Sequence, residues 1–199
     1  MTYVKPTSDM FIKYLLGKEE NKDLLITFIN AVLEDSELPL IQSVEIKNPF
    51  NLKEILNDKE SVLDIKAIDE NGKIYNIEIQ TSGNVEFTYR SLYYWSKLYS
   101  AQLQEGFDYS QLFPVICINL LEFNLFKEVD RYHLHFMLFE IKDPELVLTD
   151  HLSIHFLELT KSSGSFISLV QIFNYIISYC IFYKFVNSPV VTLHILIEI

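Results

Sequence analysis

The sequence predicts one α/β domain over residues 1–161, followed by a C-terminal tail of different character over residues 162–199. Apolar residues repeat at helical spacing in some segments and alternate with a period of two in others, which predicts both helices and half-buried strands. Of the 199 residues, 49% are hydrophobic, so one domain can bury a real core and intrinsic disorder is disfavoured. Only 5 residues are glycine and 6 are proline, which favours regular elements over long loops.

Two helices are predicted at the N-terminal end. Ser8 can cap a short helix over Asp9–Leu16, which Gly17 then stops. A second helix is predicted to begin at Asn21. Its apolar face repeats at helical spacing and consists of Leu24, Leu25, Phe28, Ile29, Val32 and Leu33.

Three strands are predicted next. The first covers residues 41–47, and the polar residues 48–59 after it predict a loop or a short helical turn. Residues 62–69 and 73–80 form the second and third strands. The segment Glu70-Asn71-Gly72 between them is a strong hairpin signal.

A long aromatic helix is predicted over residues 87–104, with Gly106 as its stop. The strand predicted over residues 115–120 is apolar on both faces, which indicates a central position in the sheet. Residues 123–161 are mixed and include a predicted strand over residues 153–159. The predicted order up to the central strand is therefore α, α, β, β, β, α, β.

The net charge of −11 lies in the predicted domain, since residues 1–161 hold 15 basic and 26 acidic side chains. An acidic surface argues mildly against broad nucleic-acid binding, which normally uses a basic footprint. It is compatible with an enzyme that meets a phosphate through a bound metal and a few placed cations. Cys117 and Cys180 lie in apolar runs, which predicts buried free thiols in a reducing cytoplasm. The polar residues 1–5 do not resemble a secretory leader.

The third predicted strand alternates in character. Tyr75, Ile77 and Ile79 face one side, and Asn76, Glu78 and Gln80 face the other. One alternative is that the polar side is simply the solvent face of a half-buried hairpin. The other is that an acid and an amide, Glu78 and Gln80, on so apolar a strand form a site.

The hairpin register distinguishes two arrangements of the carboxylates. A two-residue turn places Asp64 opposite Ile79, whereas a three-residue turn with a left-handed Gly72 places Asp64 opposite Glu78. In the second arrangement the carboxylates share a face about 5 Å apart. They would then repel by roughly 3–4 kcal/mol at an effective dielectric constant near 20. A shared divalent cation removes that repulsion, and carboxylate oxygens suit Mg²⁺.

The chemistry predicted for this face is phosphodiester hydrolysis. A metal held by Asp64 and Glu78 can polarise a phosphodiester and lower the pKa of a bound water. Gln80 points into the same site and can orient that water or a phosphate oxygen. Lys66, on the face of Asp64, can supply positive charge.

Asp64 followed by Glu78-Ile79-Gln80 after a hairpin resembles the PD-(D/E)XK nuclease superfamily, with Gln80 in place of the usual lysine. More closely, most of residues 5–161 resembles the Rpn family of recombination-promoting nucleases, also described as transposases. In the first of six motifs, the family has phenylalanine where this chain has Ile12 and Leu16. The motifs are, in order, Asp9-x-x-Ile12-Lys13-x-x-Leu16-Gly17, Asn76-Ile77-Glu78-Ile79-Gln80, Arg90-Ser91-Leu92-Tyr93-Tyr94-Trp95, Gln102-Leu103-x-x-Gly106-x-x-Tyr109, Pro114-Val115 and Ile154-His155-Phe156-Leu157-Glu158-Leu159-x-Lys161.

This resemblance implies a restriction-endonuclease-like core, in which a mixed central sheet in the order αβββαβ is flanked by helices. It also implies a Mg²⁺-dependent DNA endonuclease linked to recombination, acting on double-stranded DNA without a small-molecule cofactor. Mn²⁺ as the metal and a homodimer are left open. In the superfamily, the lysine at this position has catalytic roles that depend on its positive charge, which the amide of Gln80 lacks.

Further residues are candidates with two interpretations each. Asp9 is either an accessory metal ligand or a partner of its helix dipole. Lys13 either contacts a phosphate or is solvated. Arg90, Tyr94 and Lys97 share one helix stripe. Arg90 is the leading phosphate contact among them, whereas Tyr94 either contacts DNA or packs in the core.

Histidines and aromatic residues suggest two other kinds of site. His133-x-His135 suits a strand and His151-x-x-x-His155 suits a helix. Zinc binding is disfavoured because no cysteine or dense acidic cluster completes a site, so structural or surface roles are expected. Trp95 and Tyr99 can stack on bases, but their helical spacing favours core packing.

The tail leaves further functional hypotheses open. Residues 166–186 carry one charge and are long enough to span a bilayer. Gln171, Asn174 and Ser178 fall on one stripe, however, so an amphipathic helix fits equally well. The tail is interpreted as divergent, or as a frameshifted or truncated end. The alternatives to a nuclease are an inactive transposase-related relic that acts as an interaction module and a membrane-associated protein.

Overall fold

The computed structural model describes residues 9–47, 65–103, 106 and 108–161, without the side chains of residues 9–11 and 14. The helices are α1 (Asp9–Leu16), α2 (Lys22–Asp35) and α3 (Glu86–Ser100). The strands are β1 (Val44–Ile46), β2 (Ile65–Asp69), β3 (Ile74–Gln80), β4 (Val115–Leu121), β5 (His133–Phe139) and β6 (Val147–Glu158).

The strands form one mixed sheet of six strands in the order β1-β2-β3-β4-β6-β5. Strand β4 pairs in parallel with β3 and with β6, whereas the β1–β2, β2–β3 and β5–β6 pairs are antiparallel. Every residue of β4 is buried, as the apolar character of both its faces predicted. The predicted α/β class and the predicted element order up to β4 are confirmed.

The N-terminal helices follow the sequence prediction closely. Helix α1 has the predicted bounds, and α2 starts one residue later than predicted, after a 3₁₀ turn at Glu19–Asn21. Asn21 makes no cap for α2. Its side chain instead donates to the carbonyl of Leu15 at 2.7 Å, which satisfies an acceptor that the end of α1 leaves open. The predicted cap residue, Ser8, lies outside the described residues.

The β2–β3 hairpin adopts the register with the three-residue turn. Ile65 pairs with Ile77, and Gly72 has a φ of 85°. Asp69, the last residue of β2, accepts hydrogen bonds at Oδ1 from the backbone N–H of Asn71 (2.8 Å) and of Lys73 (2.9 Å). These bonds hold the turn, and with it the side-chain alternation of both strands.

Helix α3 ends at Ser100, before the predicted residue 104. The residues that follow it contact the segment that leads into β4. The Gln102 side chain donates to the carbonyl of Phe113 (3.0 Å) and accepts from the N–H of Phe113 (2.9 Å). Gln102 therefore fastens the chain after the helix to the backbone just before β4.

The C-terminal hairpin contains more strand than predicted. The strand predicted over residues 153–159 is the inner half of β6. The helix considered for His151 and His155 is wrong, since both residues lie on β6. His133 and His135 lie on a strand, β5, as their spacing predicted. Many apolar residues of the outer half of the hairpin are exposed, which explains why alternation did not reveal it.

Two apolar cores lie on opposite faces of the sheet. The first packs α1, α2 and β1 against Tyr75, Ile77 and Ile79. The second packs α3 against β4 and β6, and it contains the buried thiol of Cys117, as predicted. A side chain such as Phe28, fully buried in the first core, contributes roughly 1.5–3 kcal/mol. Cys180 lies outside the described residues.

None of the helices in the described part of the chain is long and apolar enough to cross a membrane. The predictions made for residues 48–59 and 162–199 fall outside the described residues, so they stay predictions.

Candidate active site

The alternation of β3 turns Asn76, Glu78 and Gln80 toward the face on which α3 packs. The apolar side chains of β3 belong to the other face, as predicted. Between the sheet and α3 lies a cavity of about 310 Å³. It is lined by Lys66, Asn76 and Glu78 from the sheet and by Tyr93, Tyr94, Lys97, Leu98 and Ala101 from the helix side. We call the sheet side of this cavity, formed by Lys66, Asn76 and Glu78, together with Gln80 beside it, the carboxylate site.

Glu78 is buried at the carboxylate site, with 6% of its surface exposed. Its carboxylate accepts hydrogen bonds from Asn76 Nδ2 at 3.5 Å and from Gln80 Nε2 at 3.4 Å. Both bonds lie beyond the usual 2.7–3.2 Å range. Burying an ionised carboxylate is costly unless positive charge or strong hydrogen bonds compensate. The described cations on this cavity are the ammonium groups of Lys66 and Lys97.

The negative charge of Glu78 acts on its neighbours. Cys117 is the strand partner of Asn76 on β4. Burial, together with the nearby Glu78 charge, raises the pKa of Cys117 to about 12. The thiol therefore stays protonated at neutral pH, which argues against a nucleophilic cysteine.

Gln80 connects Glu78 to an exposed arginine on α3. Arg90 Nη2 donates to Gln80 Oε1 at 2.5 Å, while Gln80 Nε2 donates to Glu78 Oε2. The Arg90 guanidinium also lies 4.6 Å from the centre of the Phe87 ring, which holds it at the start of the helix. Gln80 thus links an arginine to the buried carboxylate.

The structure brings several predicted site residues together. Lys66, Glu78 and Tyr94 line one cavity, and Gln80 and Arg90 are bonded beside it. Asp64 lies outside the described residues, although the register of the hairpin is the one for which it was predicted to face Glu78.

Two candidates on α1 remain predictions. Asp9 begins the helix, but its side chain is outside the described part of the chain. Lys13 is only 7% exposed, so the solvated alternative is wrong, and a phosphate contact by Lys13 stays a prediction.

Sequence reasoning did not select Asn76, Lys97 or Tyr93 for the site. The signal for Asn76 was present in the strand alternation, since it shares the face of Glu78. Lys97 lies on the same helix stripe as Arg90 and Tyr94, but nothing in the sequence showed that the end of α3 reaches the cavity.

The donor set of the carboxylate site fits a hard divalent cation. Asn76 is 2% exposed, and its Oδ1 has no hydrogen-bond partner among the described residues. An unpartnered buried oxygen costs about 1–3 kcal/mol, and amide and carboxylate oxygens are ligands for Mg²⁺. Among the residues with described placement, no group of three or more His, Cys, Asp or Glu could hold a metal. A carboxylate set there would have to include a residue outside that part, such as Asp64.

Trp95 and Tyr99 pack in the core, as their spacing favoured. Trp95 Nε1 donates to the carbonyl of Val115 at 3.0 Å, and its ring stacks on Tyr99 with centroids 4.9 Å apart. Tyr99 in turn bonds His151 Nδ1 through its hydroxyl at 2.9 Å. Both rings are half-buried and pack against the second core, so core packing is the interpretation that the contacts support.

A second buried polar cluster lies on the opposite face of the sheet, and we call it the histidine chain. Asp35 Oδ2 lies 2.5 Å from His133 Nδ1, and His133 Nε2 lies 3.0 Å from His155 Nδ1. Ser153 Oγ then lies 2.8 Å from His155 Nε2 and 2.8 Å from His135 Nε2. Both ring nitrogens of His133 and of His155 are used in hydrogen bonds, so structural roles fit better than zinc binding.

Comparison with known proteins gives one match. A family model described as a PD-(D/E)XK nuclease family transposase matches residues 6–167. No curated protein and no solved structure matches the chain significantly.

Proposed function

Because the chain belongs to the PD-(D/E)XK nuclease family transposases, we propose that it is a Mg²⁺-dependent endonuclease of the recombination-promoting type. Its substrate is double-stranded DNA, and its metal ligands are Asp64 and Glu78. One observation supports this assignment more than any other. A buried carboxylate shares a cavity with two ammonium groups and with an amide oxygen that has no described partner.

In the proposed site, the sheet side binds the metal and the α3 side binds the phosphate. Asp64 and Glu78 would hold the metal, which when bound would polarise the phosphodiester and lower the pKa of a water. On the helix side, Arg90 is exposed and Lys97 lines the cavity. These side chains would bind the phosphate of the scissile strand, and so a few placed cations would offset an acidic protein with a net charge of −11.

Gln80 serves as a positioning residue in this proposal. Its amide cannot supply the charge of the superfamily lysine, but it links Arg90 to Glu78 through two hydrogen bonds. It therefore fixes where the phosphate-binding guanidinium stands relative to the carboxylate. The positive charge would come from Lys66 and Lys97, which line the cavity.

Plasmid cleavage by the full chain tests the proposal, with Mg²⁺, with Mn²⁺ and with chelator. Nicking is expected with either metal, and it should disappear in chelator, in Asp64→Ala and in Glu78→Ala. Glu45→Ala is the matched control, since Glu45 is an exposed acid on the edge strand β1 and should cleave like wild type. No cleavage by a folded wild-type chain in either metal would contradict the proposal and support the inactive interaction module instead.

A further inference from the structure

Asn76 is not explained by a metal site made of two carboxylates. Its side chain is almost fully buried, it lines the cavity, and its Oδ1 has no hydrogen-bond partner among the described residues. Buried polar atoms in native proteins nearly always have a partner, so an exception of this kind indicates a missing ligand or water.

The hydrogen bond made by the other end of the amide indicates which partner is missing. Asn76 Nδ2 points to Glu78 Oε1, at 3.5 Å. The amide nitrogen is thereby directed at the carboxylate, which leaves the oxygen for a different partner. An oxygen beside a buried carboxylate, in a cavity that opens to solvent, is a ligand position for a hard cation.

We propose that Asn76 Oδ1 is itself a ligand of the metal ion that Glu78 binds. This inference rests on the proposed function for the presence of the ion. Binding of the ion by Asn76, however, does not require that DNA is cleaved, so the two can fail separately.

The test uses Tb³⁺, an oxygen-seeking luminescent cation, on the full chain. Luminescence lifetimes in H₂O and D₂O report the number of bound waters, and competition by Mg²⁺ reports affinity. Loss of the oxygen in Asn76→Leu should add about one bound water and weaken binding of both ions by about tenfold or more. Asn76→Asp keeps an oxygen at the same place, so its hydration number should stay at the wild-type value and its affinity should be equal or higher.

A role for Asn76 in merely positioning Glu78 predicts a different pattern. That role uses Nδ2, which Asp lacks, so Asn76→Asp would then bind Tb³⁺ as weakly as Asn76→Leu. This result would overturn the proposal. If Asn76→Leu does not fold, as judged by circular dichroism, Asn76→Asp alone decides between the two roles.

Asn119 provides a matched control on the neighbouring strand. It is the strand partner of Glu78, it is buried, and its Oδ1 also lacks a described partner, but it does not line the cavity. Asn119→Leu should leave the hydration number unchanged. An equal change in Asn119→Leu and Asn76→Leu, or no Tb³⁺ binding by wild type, would overturn the inference. Metal binding that depends on Asn76 without any cleavage would overturn only the proposed nuclease activity.

Discussion

The two faces of the sheet carry two buried polar clusters that differ in how completely they are hydrogen-bonded. In the histidine chain, the four links measure between 2.5 and 3.0 Å. At the carboxylate site, by contrast, the buried Oδ1 of Asn76 has no hydrogen-bond partner among the described residues. A buried polar cluster whose hydrogen bonds are all made within the protein stabilises the fold. A buried polar atom without a partner in the protein indicates a binding position for a ligand or a water.

The histidine chain can be satisfied without any net charge on its rings. In one set of neutral tautomers, His135 Nε2 would donate to Ser153 Oγ, and the Ser153 hydroxyl would donate to His155 Nε2. In the same set, His155 Nδ1 would donate to His133 Nε2, and His133 Nδ1 to the carboxylate of Asp35. One set of neutral tautomers therefore runs in one direction from the edge strand β5 to helix α2, and every link has one donor and one acceptor.

The largest effect is expected at Glu78, where activity should be lost and stability kept. Glu78→Gln keeps the shape of a buried side chain and removes its charge, so the unfolding free energy should change by no more than about 1 kcal/mol. Metal-dependent cleavage should fall on the order of 10³-fold or more. Urea denaturation and plasmid nicking on the same sample measure both. A large loss of stability would show that Glu78 is structural, and the comparison between the two faces would then fail.

The next effect is a loss of stability when the histidine chain is cut in its middle. His155→Leu leaves His133 Nε2 without its described donor, and it leaves the Ser153 hydroxyl bonded to His135 but without the acceptor for its proton, at about 1–3 kcal/mol each. We expect a loss of about 2–4 kcal/mol in urea denaturation.

His151→Leu is the matched control for that cut, because His151 is on the same strand and its described side-chain hydrogen bond is to the Tyr99 hydroxyl. Its loss should be about 1 kcal/mol or less. Equal losses in the two variants would mean that the linked hydrogen bonds of the histidine chain stabilise the fold no more than one isolated hydrogen bond does.

Acid should weaken the histidine chain before it affects the rest of the fold. Burial, together with the other two histidines, lowers the pKa of His155 well below its usual value. Burial, with a contribution from His133, lowers the pKa of His135 to about 4. A lowered histidine pKa means that the unfolded chain takes up protons first, so stability is lost as the pH falls from about 6.5 towards 4.

His135 contributes to this acid effect, because its folded-state pKa of about 4 lies below that of an unperturbed histidine. Urea denaturation at a series of pH values measures it. His135→Gln keeps a side chain able to donate to Ser153 but cannot take up a proton, so its stability should change less over the same range. An unchanged pH profile in His135→Gln would exclude His135 as the source.

What the sequence could predict of these two clusters depended on local periodicity. The alternation of β3 placed Glu78 and Gln80 on one face, and the segment Glu70-Asn71-Gly72 predicted a hairpin with two possible registers, of which the structure shows the one with the three-residue turn. Both are properties of neighbouring residues in the chain, which pattern analysis detects.

The histidine chain could not be predicted in the same way. Asp35 and His133 are separated by 98 positions, and their contact depends on how α2 packs against the sheet. Lys97 reaches the cavity only because α3 lies across the carboxylate site. Contacts of this kind follow from how the elements pack, and no spacing within one segment encodes them.

The smallest effect is expected at Arg90, which is exposed and lies at the rim of the carboxylate site. Arg90→Ala removes the bond to Gln80, and with it the guanidinium that we propose contacts a phosphate. DNA binding measured by fluorescence anisotropy, with Ca²⁺ in place of Mg²⁺ to prevent cleavage, should weaken about five- to tenfold. The slope of log affinity against log salt should drop by about 1. The unfolding free energy should change by less than about 0.5 kcal/mol.

Arg131→Ala is the control for Arg90, since Arg131 is an equally exposed arginine in the segment before β5. It should leave both the affinity and the salt slope at their wild-type values. If both substitutions lower the affinity equally, the protein attracts DNA through its overall charge, and the position of Arg90 near Glu78 has no special effect. A selective effect of Arg90 would mean that the face with unsatisfied polar groups is the one that meets the substrate.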